Sequence, residues 1–253
     1  MRIAIFNQKG GVGKTTTTLN LGAALQRAET PPLLIDLDPQ GHLSSIHGDA
    51  PLEANRSLFA FYQHNAPLQQ LEVEWAGLGQ LLPAHQQLIK VDSIFGKGPA
   101  ILNKLRHGLE ELDSELPGRP VLIDCCPYIG VLALNAIFAC DRLIVPVSTD
   151  YLSLQAAEHI TRTLKVLEPV LKRRVERRYL LTRFDRRRRM SDDVRNKLRE
   201  RYGDELLDTT ISENVAVAES PSLNKDVFSY NPSSPGAHDY KQLLHELRER
   251  GDL

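Results

Sequence analysis

A glycine-rich segment after the first apolar run carries the residues best suited to phosphate binding. It reads KGGVGKTT over residues 9–16, inside a predicted phosphate loop over residues 8–16. Glycine lets the backbone turn so that successive N–H groups point at phosphate oxygens, and a helix that begins near Lys14 adds the positive end of its dipole. The spacing predicts that Lys14 reaches the β- and γ-phosphates and that the Thr15 hydroxyl ligates Mg²⁺. The expected nucleotide contacts are Gly10, Gly11, Val12, Gly13, Lys14, Thr15 and Thr16.

This segment departs from the usual G-x-x-x-x-G-K-[ST] spacing at its first position. Gln8 stands where the first glycine belongs, and Lys9 supplies a second lysine at the loop entrance. A second cation near the phosphates would stabilise the charge that develops during phosphoryl transfer. We therefore predict a catalytic role for Lys9 as well as Lys14. The alternative is a glycine-rich hairpin that binds no ligand.

Three carboxylates follow apolar runs that have the composition of buried strands. Asp36 and Asp38 lie in the segment DLDPQG at residues 36–41, and Asp124 lies in a predicted Walker B segment over residues 121–127. Residues i and i+2 of a strand share a face, and the carboxyl ends of parallel strands open onto a ligand crevice. Asp124 has the position from which a carboxylate contacts Mg²⁺ through water. The alternative for Asp36 and Asp38 is a pair of solvated turn residues.

The order of apolar runs and helical segments predicts the fold. Continuous apolar runs at residues 2–6, 32–38, 120–126, 142–148 and 179–184 suit strands that are covered on both faces. Helical patterns occur at residues 15–28, 100–116, 152–171, 192–201 and 239–250. This alternation predicts one α/β P-loop domain over residues 1–253, with a mostly parallel twisted sheet and helices on both faces. Residues 42–98 show no clear pattern of elements.

Composition excludes several classes of protein. Hydrophobic residues at 42% and charged residues at 25% argue against wholesale disorder and against a fibrous protein. Three cysteines cannot form a disulfide framework, and the Cys and His spacings do not match a metal site. The apolar runs are all shorter than the roughly 20 residues that span a bilayer. We therefore expect a soluble intracellular protein.

The charge is distributed unevenly along the chain. Residues 162–201 contain sixteen Lys or Arg against six Asp or Glu, a local charge of +10 in a chain whose net charge is −1. Such a block suggests a face for a polyanion. The alternative is the solvated faces of amphipathic helices.

Taken together, the motifs resemble the ParA/MinD family of deviant Walker A ATPases. The resemblance rests on KGGVGKTT, on DLDPQG and on a tail over residues 211–240, and it covers nearly the whole chain. It implies that ATP assembles a sandwich homodimer in which Lys9 reaches the partner's phosphates. It also implies that Asp38 orients the attacking water, that Asp36 helps to hold Mg²⁺, and that Thr182 and Arg183 contact adenine.

The chain departs from the family pattern in two places. It reads DCCPYIG where the family reads DCPPSLG, so that Cys126 replaces a proline and Tyr128 follows. In the tail, Ser212, Glu213 and Asp226 replace a usual proline, arginine and proline. The first departure lies in a loop that we expect at the dimer interface.

The resemblance implies a choice between DNA and membrane as the surface that the dimer binds. The last predicted helix has neither an aromatic anchor nor a lysine-rich flank, which disfavours a membrane-binding helix. We therefore interpret the block at residues 162–201 as a surface for DNA phosphates. Its candidate residues are Lys172, Arg173, Arg174, Arg177, Arg178, Arg186, Arg187, Arg188 and Arg189.

The predicted function is that of a Mg²⁺-dependent ATPase that turns over slowly without a partner. We expect it to dimerise with ATP, to bind double-stranded DNA non-specifically, and to position a partition complex or a protein assembly. A ParB-like or other cargo adaptor would stimulate hydrolysis, and the protein would lie on the bacterial nucleoid in the cytoplasm. The alternative is a MinD-like spatial regulator that associates with membrane.

Overall fold

An eight-stranded sheet forms the centre of the computed structural model, which describes residues 1–48, 53–96 and 98–253. Its strands are β1 (Arg2–Ile5), β2 (Leu33–Asp36), β3 (Val73–Trp75), β4 (Gly79–Leu82), β5 (Val121–Asp124), β6 (Arg142–Ser148), β7 (Glu176–Phe184) and β8 (Leu206–Ser212). They lie in the order β3-β4-β2-β5-β1-β6-β7-β8. Among these neighbours β3 and β4 pair antiparallel and the rest pair parallel. The carboxyl ends of the central strands therefore meet at one edge of the sheet.

Helices cover both faces of this sheet. They are α1 (Lys14–Arg27), α2 (His42–His47), α3 (Leu58–His64), α4 (Val91–Phe95), α5 (Pro99–Leu102), α6 (Lys104–Glu115), α7 (Val131–Ala139), α8 (Tyr151–Leu171), α9 (Arg189–Tyr202), α10 (Val215–Glu219), α11 (Val227–Tyr230) and α12 (Pro235–Glu249). Side chains alternate between the faces of a strand. Ile3 and Ile5 accordingly pack in one core with α1 and α12, whereas Ala4 and Phe6 pack in a second core with α6 to α9.

The predicted α/β fold is confirmed, and each predicted strand overlaps an observed one. Strand β7 begins at Glu176, three residues before the predicted run at residues 179–184. The sequence patterns miss β3, β4, β8 and α7, together with the short helices α2, α3, α4, α10 and α11. Strands β3 and β4 are only three and four residues long, and edge strand β8 carries polar residues on its partly exposed positions. Helix α7 is buried on every side, so it has no polar stripe to reveal its period. The helix predicted over residues 100–116 is divided at Asn103 into α5 and α6.

A buried ion-pair cluster lies where β6 and β7 begin. Asp252 is fully buried, and its Oδ1 lies 2.8 Å from the Arg142 guanidinium. Arg178 donates to both carboxylate oxygens, at 2.6 Å to Oδ2 and 3.0 Å to Oδ1. The cluster joins the segment after α12 to the sheet.

We predict that Asp252→Ala lowers the free energy of unfolding by about 3 kcal/mol, because it leaves two arginines without their buried counter-charge. Asp208→Ala is the matched control, since Asp208 also contacts two arginines, Arg199 and Arg250, but is 73% exposed. Its effect should stay below about 1 kcal/mol. Urea denaturation followed by circular dichroism measures both values, and equal effects would contradict the structural role of Asp252.

Candidate nucleotide site and basic surface

The loop between β1 and α1 wraps around the amino end of α1. Gly11 has φ +73° and Gly13, which caps the helix, has φ +89°, conformations that favour glycine. Gly13 has no side chain with which to cap the first N–H groups of α1, so these groups can bind phosphate oxygens. A cavity of about 680 Å³ opens over this loop, and its wall includes Gly10, Gly11, Gly13, Lys14, Thr15, Thr16 and Asp38.

Lys14 carries the positive charge of this cavity. The residue is 8% exposed, and its Nζ donates to the Lys9 carbonyl at 3.2 Å. Burial lowers the pKa of Lys14, and the nearby Asp124 carboxylate opposes that shift. The ammonium group is therefore placed next to carboxylates at the floor of the crevice.

Asp36 and Asp124 lie side by side because β2 and β5 pair with these residues in register. Both are fully buried. Asp36 accepts hydrogen bonds from the Ser44 amide at 2.8 Å and the Ser44 hydroxyl at 2.7 Å. Burial raises the pKa of Asp36 to about 6, and burial with the charge of Asp36 raises the pKa of Asp124. Asp38 lines the cavity and accepts from the Gln40 amide at 2.9 Å.

The donor set beside the loop fits Mg²⁺. The Thr15 hydroxyl donates to Asp124 Oδ2 at 2.7 Å, whereas Asp124 Oδ1 is buried with no hydrogen-bond partner among the described residues. A buried carboxylate oxygen without a donor is costly unless a cation or water satisfies it. Carboxylate and hydroxyl oxygens are the ligands that Mg²⁺ prefers. Thr15 and Asp124, with Asp36 behind them, are therefore placed to hold Mg²⁺ directly or through water.

The Lys9 side chain binds two residues of its own chain, Asp150 and Ser153. Its Nζ lies 2.6 Å from Asp150 Oδ1 and 2.8 Å from the Ser153 hydroxyl. Asp150 also caps α8 by accepting from the Ser153 amide at 2.9 Å. Burial opposes the shift, but hydrogen bonds from Lys9, Ser148 and Ser153 hold the pKa of Asp150 well below its usual range.

A second cavity of about 270 Å³ adjoins the phosphate loop and shares Gly11, Gly13 and Thr16 with the first. Thr182 and Arg183 lie in its wall, at the end of β7. Val12 is buried and contributes its carbonyl, which accepts from the Thr182 hydroxyl at 2.8 Å. The sequence analysis did not assign other residues of this wall, including Ile211, Asn214, Val217 and Tyr240. The signal that could have identified them is the family resemblance of the tail over residues 211–240.

Both cysteines of the unusual loop after β5, Cys125 and Cys126, are buried. Cys126 is buried, and burial raises the pKa of its thiol to about 12. Its Sγ contacts the Tyr128 carbonyl at 3.6 Å. The Tyr128 side chain is 42% exposed and lines the phosphate cavity.

The predicted basic block does not form one surface. Lys172, Arg173 and Arg174 precede β7, whereas residues 186–189 follow it. Because a strand rises about 3.3 Å per residue, the nine residues of β7 separate the two groups by roughly 30 Å. The second group shares the edge of the sheet with the nucleotide cavities.

Several predicted DNA contacts are occupied within the fold. Arg177 is 6% exposed and pairs with Glu168 and Glu205. Arg178 is held by Asp252, and the Arg173 guanidinium donates to the Cys140 carbonyl at 2.6 Å. Arg174 pairs with Glu205, while Lys172 is exposed. The guanidinium groups of Arg173, Arg177 and Arg178 are therefore engaged by partners within the fold, which contradicts their prediction as DNA contacts.

The run at residues 186–189 is exposed throughout. The side chains of Arg187 and Arg189 are 89% and 94% exposed. Arg187 contacts Asp185 at 3.0 Å, and Arg188 contacts both Asp185 and Glu213. These exposed cations can meet a polyanion without disturbing the core.

Comparison with known proteins places these features in context. A family model described as an AAA domain matches residues 1–177. The chromosome partitioning protein ParA of Caulobacter vibrioides is 36% identical over 251 residues, which cover 98% of this chain and 94% of that protein. The chromosome-partitioning ATPase Soj of Thermus thermophilus is 36% identical, over 98% of this chain and 96% of that protein.

Solved structures show the same fold. A Mycobacterium smegmatis protein named cobyrinic acid a,c-diamide synthase, solved with ADP and magnesium, is 28% identical. Its TM-score is 0.84, over 99% of this chain and 95% of that one. A Borrelia burgdorferi plasmid partition protein bound to AMPPNP has a TM-score of 0.82 at 20% identity, with 98% of each chain covered.

We predict that Asp36→Asn stabilises the protein without nucleotide or Mg²⁺ in a pH-dependent way. Burial raises the pKa of Asp36 from 3.8 to about 6, so its favourable contribution is present below pH 4 and is lost as the pH rises through 6. Two pKa units correspond to about 3 kcal/mol. The difference in unfolding free energy between variant and wild type should therefore grow between pH 4.5 and 7, as measured by urea denaturation. A constant difference would contradict the shift.

Proposed function

Because the chain belongs to the family of ParA and Soj partition ATPases, we propose that it is a DNA-binding positioning switch driven by ATP. Membership confirms the predicted resemblance and the predicted use of ATP and Mg²⁺. The observation that carries the proposal is the convergence of Lys14, Thr15, Asp38 and Asp124 on one crevice. The arginine run at residues 186–189 lies at the same edge of the sheet.

Each residue of the crevice has a role in hydrolysis that its position supports. The N–H groups at the start of α1 and the Lys14 ammonium would bind the β- and γ-phosphates. Thr15 and Asp124 would hold Mg²⁺, which neutralises phosphate charge when bound. Asp38 lines the same cavity, where its carboxylate would orient the attacking water towards the γ-phosphate.

ATP-dependent dimerisation would bring Lys9 to the phosphates of the partner subunit. In the isolated chain Lys9 is bound to Asp150, whose side chain is 45% exposed. Exposed ion pairs contribute little to stability, so phosphate oxygens could replace this carboxylate. Large exposed apolar side chains surround the nucleotide edge and would be covered by the partner: Tyr128, Tyr151, Leu152, Val215 and Leu223.

DNA would bind through Arg186, Arg187, Arg188 and Arg189. Their guanidinium groups are solvent-accessible. The four residues lie in the loop after β7 and at the first position of α9, and not along a recognition helix that could enter a DNA groove. Contacts to phosphate carry no base information, so binding would be non-specific and steeply dependent on salt. Lys172 and Arg174 lie before β7, at the end of the strand opposite to residues 186–189. They would contribute to DNA binding only if the DNA also contacted that end of the strand.

The packing of α12 favours the DNA-binding role over the alternative role at a membrane. Its apolar residues Leu243, Leu244 and Leu247 are buried in the core with α1. Within the described residues, no helix has the length and apolar character needed to cross a bilayer. By its likeness to partition ATPases, the switch would act on the bacterial nucleoid in the cytoplasm, with a ParB-like or other cargo adaptor stimulating hydrolysis.

Two substitutions separate nucleotide binding from hydrolysis. Lys14→Ala should abolish ATP binding in a fluorescent-nucleotide titration, because it removes the ammonium group that would bind the phosphates.

Asp38→Ala should still bind ATP and still form dimers on size-exclusion chromatography, but its rate of phosphate release should fall by at least about tenfold. Wild-type phosphate release in Asp38→Ala would show that another group positions the water.

Replacing Arg186 to Arg189 by alanine should weaken binding to random-sequence duplex DNA at every sequence tested. The plot of log affinity against log salt should also become flatter, by up to about 0.9 for each DNA phosphate that the variant no longer neutralises. Fluorescence anisotropy with ATP, with ADP and without nucleotide measures both effects.

The control variant is Arg106→Ala, because Arg106 lies on α6 and pairs with Glu110. Arg173, Arg177 and Arg178 are unsuitable controls because these residues support the fold. An unchanged slope would show that residues 186–189 do not contact DNA and are only a solvent-exposed charged surface.

A further inference from the structure

The arginine run at residues 186–189 is partly neutralised by carboxylates of its own chain. Asp185 lies two and three residues before the arginines that it contacts, Arg187 and Arg188, so its position follows from local sequence. Glu213 is different because it follows β8 and reaches Arg188 across the sheet edge. Its Oε2 lies 3.2 Å from the Arg188 guanidinium. Two carboxylates therefore converge on Arg188.

Glu213 is also tied to the wall of the smaller nucleotide cavity. Its Oε1 lies 3.5 Å from the Arg183 guanidinium, and its amide donates to the Phe184 carbonyl at 3.1 Å. Arg183 has φ +52°, a left-handed conformation that is uncommon for a residue with a Cβ and persists only where the surroundings hold it. Glu213 thus joins Arg183 and Arg188 in one exposed ion-pair group at the rim of the nucleotide site.

A carboxylate and a phosphate bind the same donors of a guanidinium group. A DNA phosphate that approaches Arg188 must therefore take the place of Glu213 or share the arginine with it. The Glu213 side chain is 37% exposed and that of Arg188 is 62% exposed, so solvent screens the pair and exchange is accessible.

We propose that Glu213 is an intramolecular competitor of DNA phosphate at Arg188, and that it sets the affinity of the DNA surface. This inference rests on the proposed DNA-binding function and adds the residue that regulates it. Glu213 lowers affinity in two ways: it occupies the guanidinium, and its charge repels phosphate. At this position the ParA/MinD pattern has an arginine, so the chain carries a charge opposite to that pattern.

The test compares Glu213→Gln and Glu213→Arg with wild type in binding to a random-sequence duplex, by fluorescence anisotropy over a salt series. Glu219→Gln is the matched control, because it removes the same charge from the adjoining helix α10. Glu219 accepts from the Tyr230 hydroxyl at 2.7 Å, and within the described part of the chain it has no ion pair with arginine. Thermal unfolding by circular dichroism checks that all variants are folded.

We expect Glu213→Gln to tighten DNA binding about three- to tenfold and to steepen the salt slope by up to about one, because Arg188 then keeps only Asp185 as a competing carboxylate. Glu213→Arg should tighten it further. The gain should be similar with ATP and with ADP, because Glu213 lies at the cavity of Arg183 rather than at Asp38 and the phosphate floor.

The outcomes distinguish this inference from the function on which it rests. If wild type binds DNA and Glu213→Gln binds no more tightly than Glu219→Gln, the competitor role is wrong while the DNA role stands. If Glu213→Gln weakens binding, Glu213 supports the surface and the inference is likewise overturned. If neither wild type nor any variant binds DNA at low salt, the proposed function fails and the inference fails with it.

Discussion

The site depends on two carboxyl groups that the fold holds at a buried edge of the sheet. Asp36 and Asp124 lie side by side on neighbouring parallel strands, and both are fully buried. A shift of either strand by one residue would turn its carboxylate to the other face of the sheet. The crevice therefore has a fixed place for a cation, and the amino end of α1 and Lys14 supply the compensating positive potential. Ser44 and Thr15 donate to these carboxylates, and Asp124 Oδ1 is left without a donor among the described residues.

Cations elsewhere in the molecule fall into two groups according to burial. Arg177 and Arg178 pair with carboxylates inside the fold, and breaking such pairs leaves an uncompensated buried charge. Lys9 and Arg188 pair with carboxylates at the surface, where water screens the interaction. The first group maintains the structure. The second group can exchange an internal carboxylate for an external phosphate, which is what the proposed switch requires of both residues.

The parallel topology brings the residues of these surface ion pairs to the same edge of the sheet as Thr182 and Arg183. Lys9 follows β1, Asp150 follows β6, Thr182 and Arg183 end β7, and Glu213 follows β8. All of these strands run in the same direction, so their carboxyl ends open on one edge of the sheet. Nucleotide, partner subunit and DNA would consequently meet on adjoining surfaces. A single ion-pair change there can affect more than one of them.

The phosphate loop, the three carboxylates and the alternation of strands and helices could be predicted from the amino-acid sequence, because each depends on local spacing. Glycines before Lys14, and an aspartate at the end of each of two apolar runs, have the same meaning wherever the strands lie. The short strands β3 and β4 and the fully buried α7 lacked such a local pattern. Which arginines are exposed and which are paired inside the fold could not be predicted in this way. The partners of Arg177 and Arg178, Glu205 and Asp252, lie 28 and 74 residues away along the chain. The charge of a residue can be read from its type, but its availability depends on what the fold brings next to it.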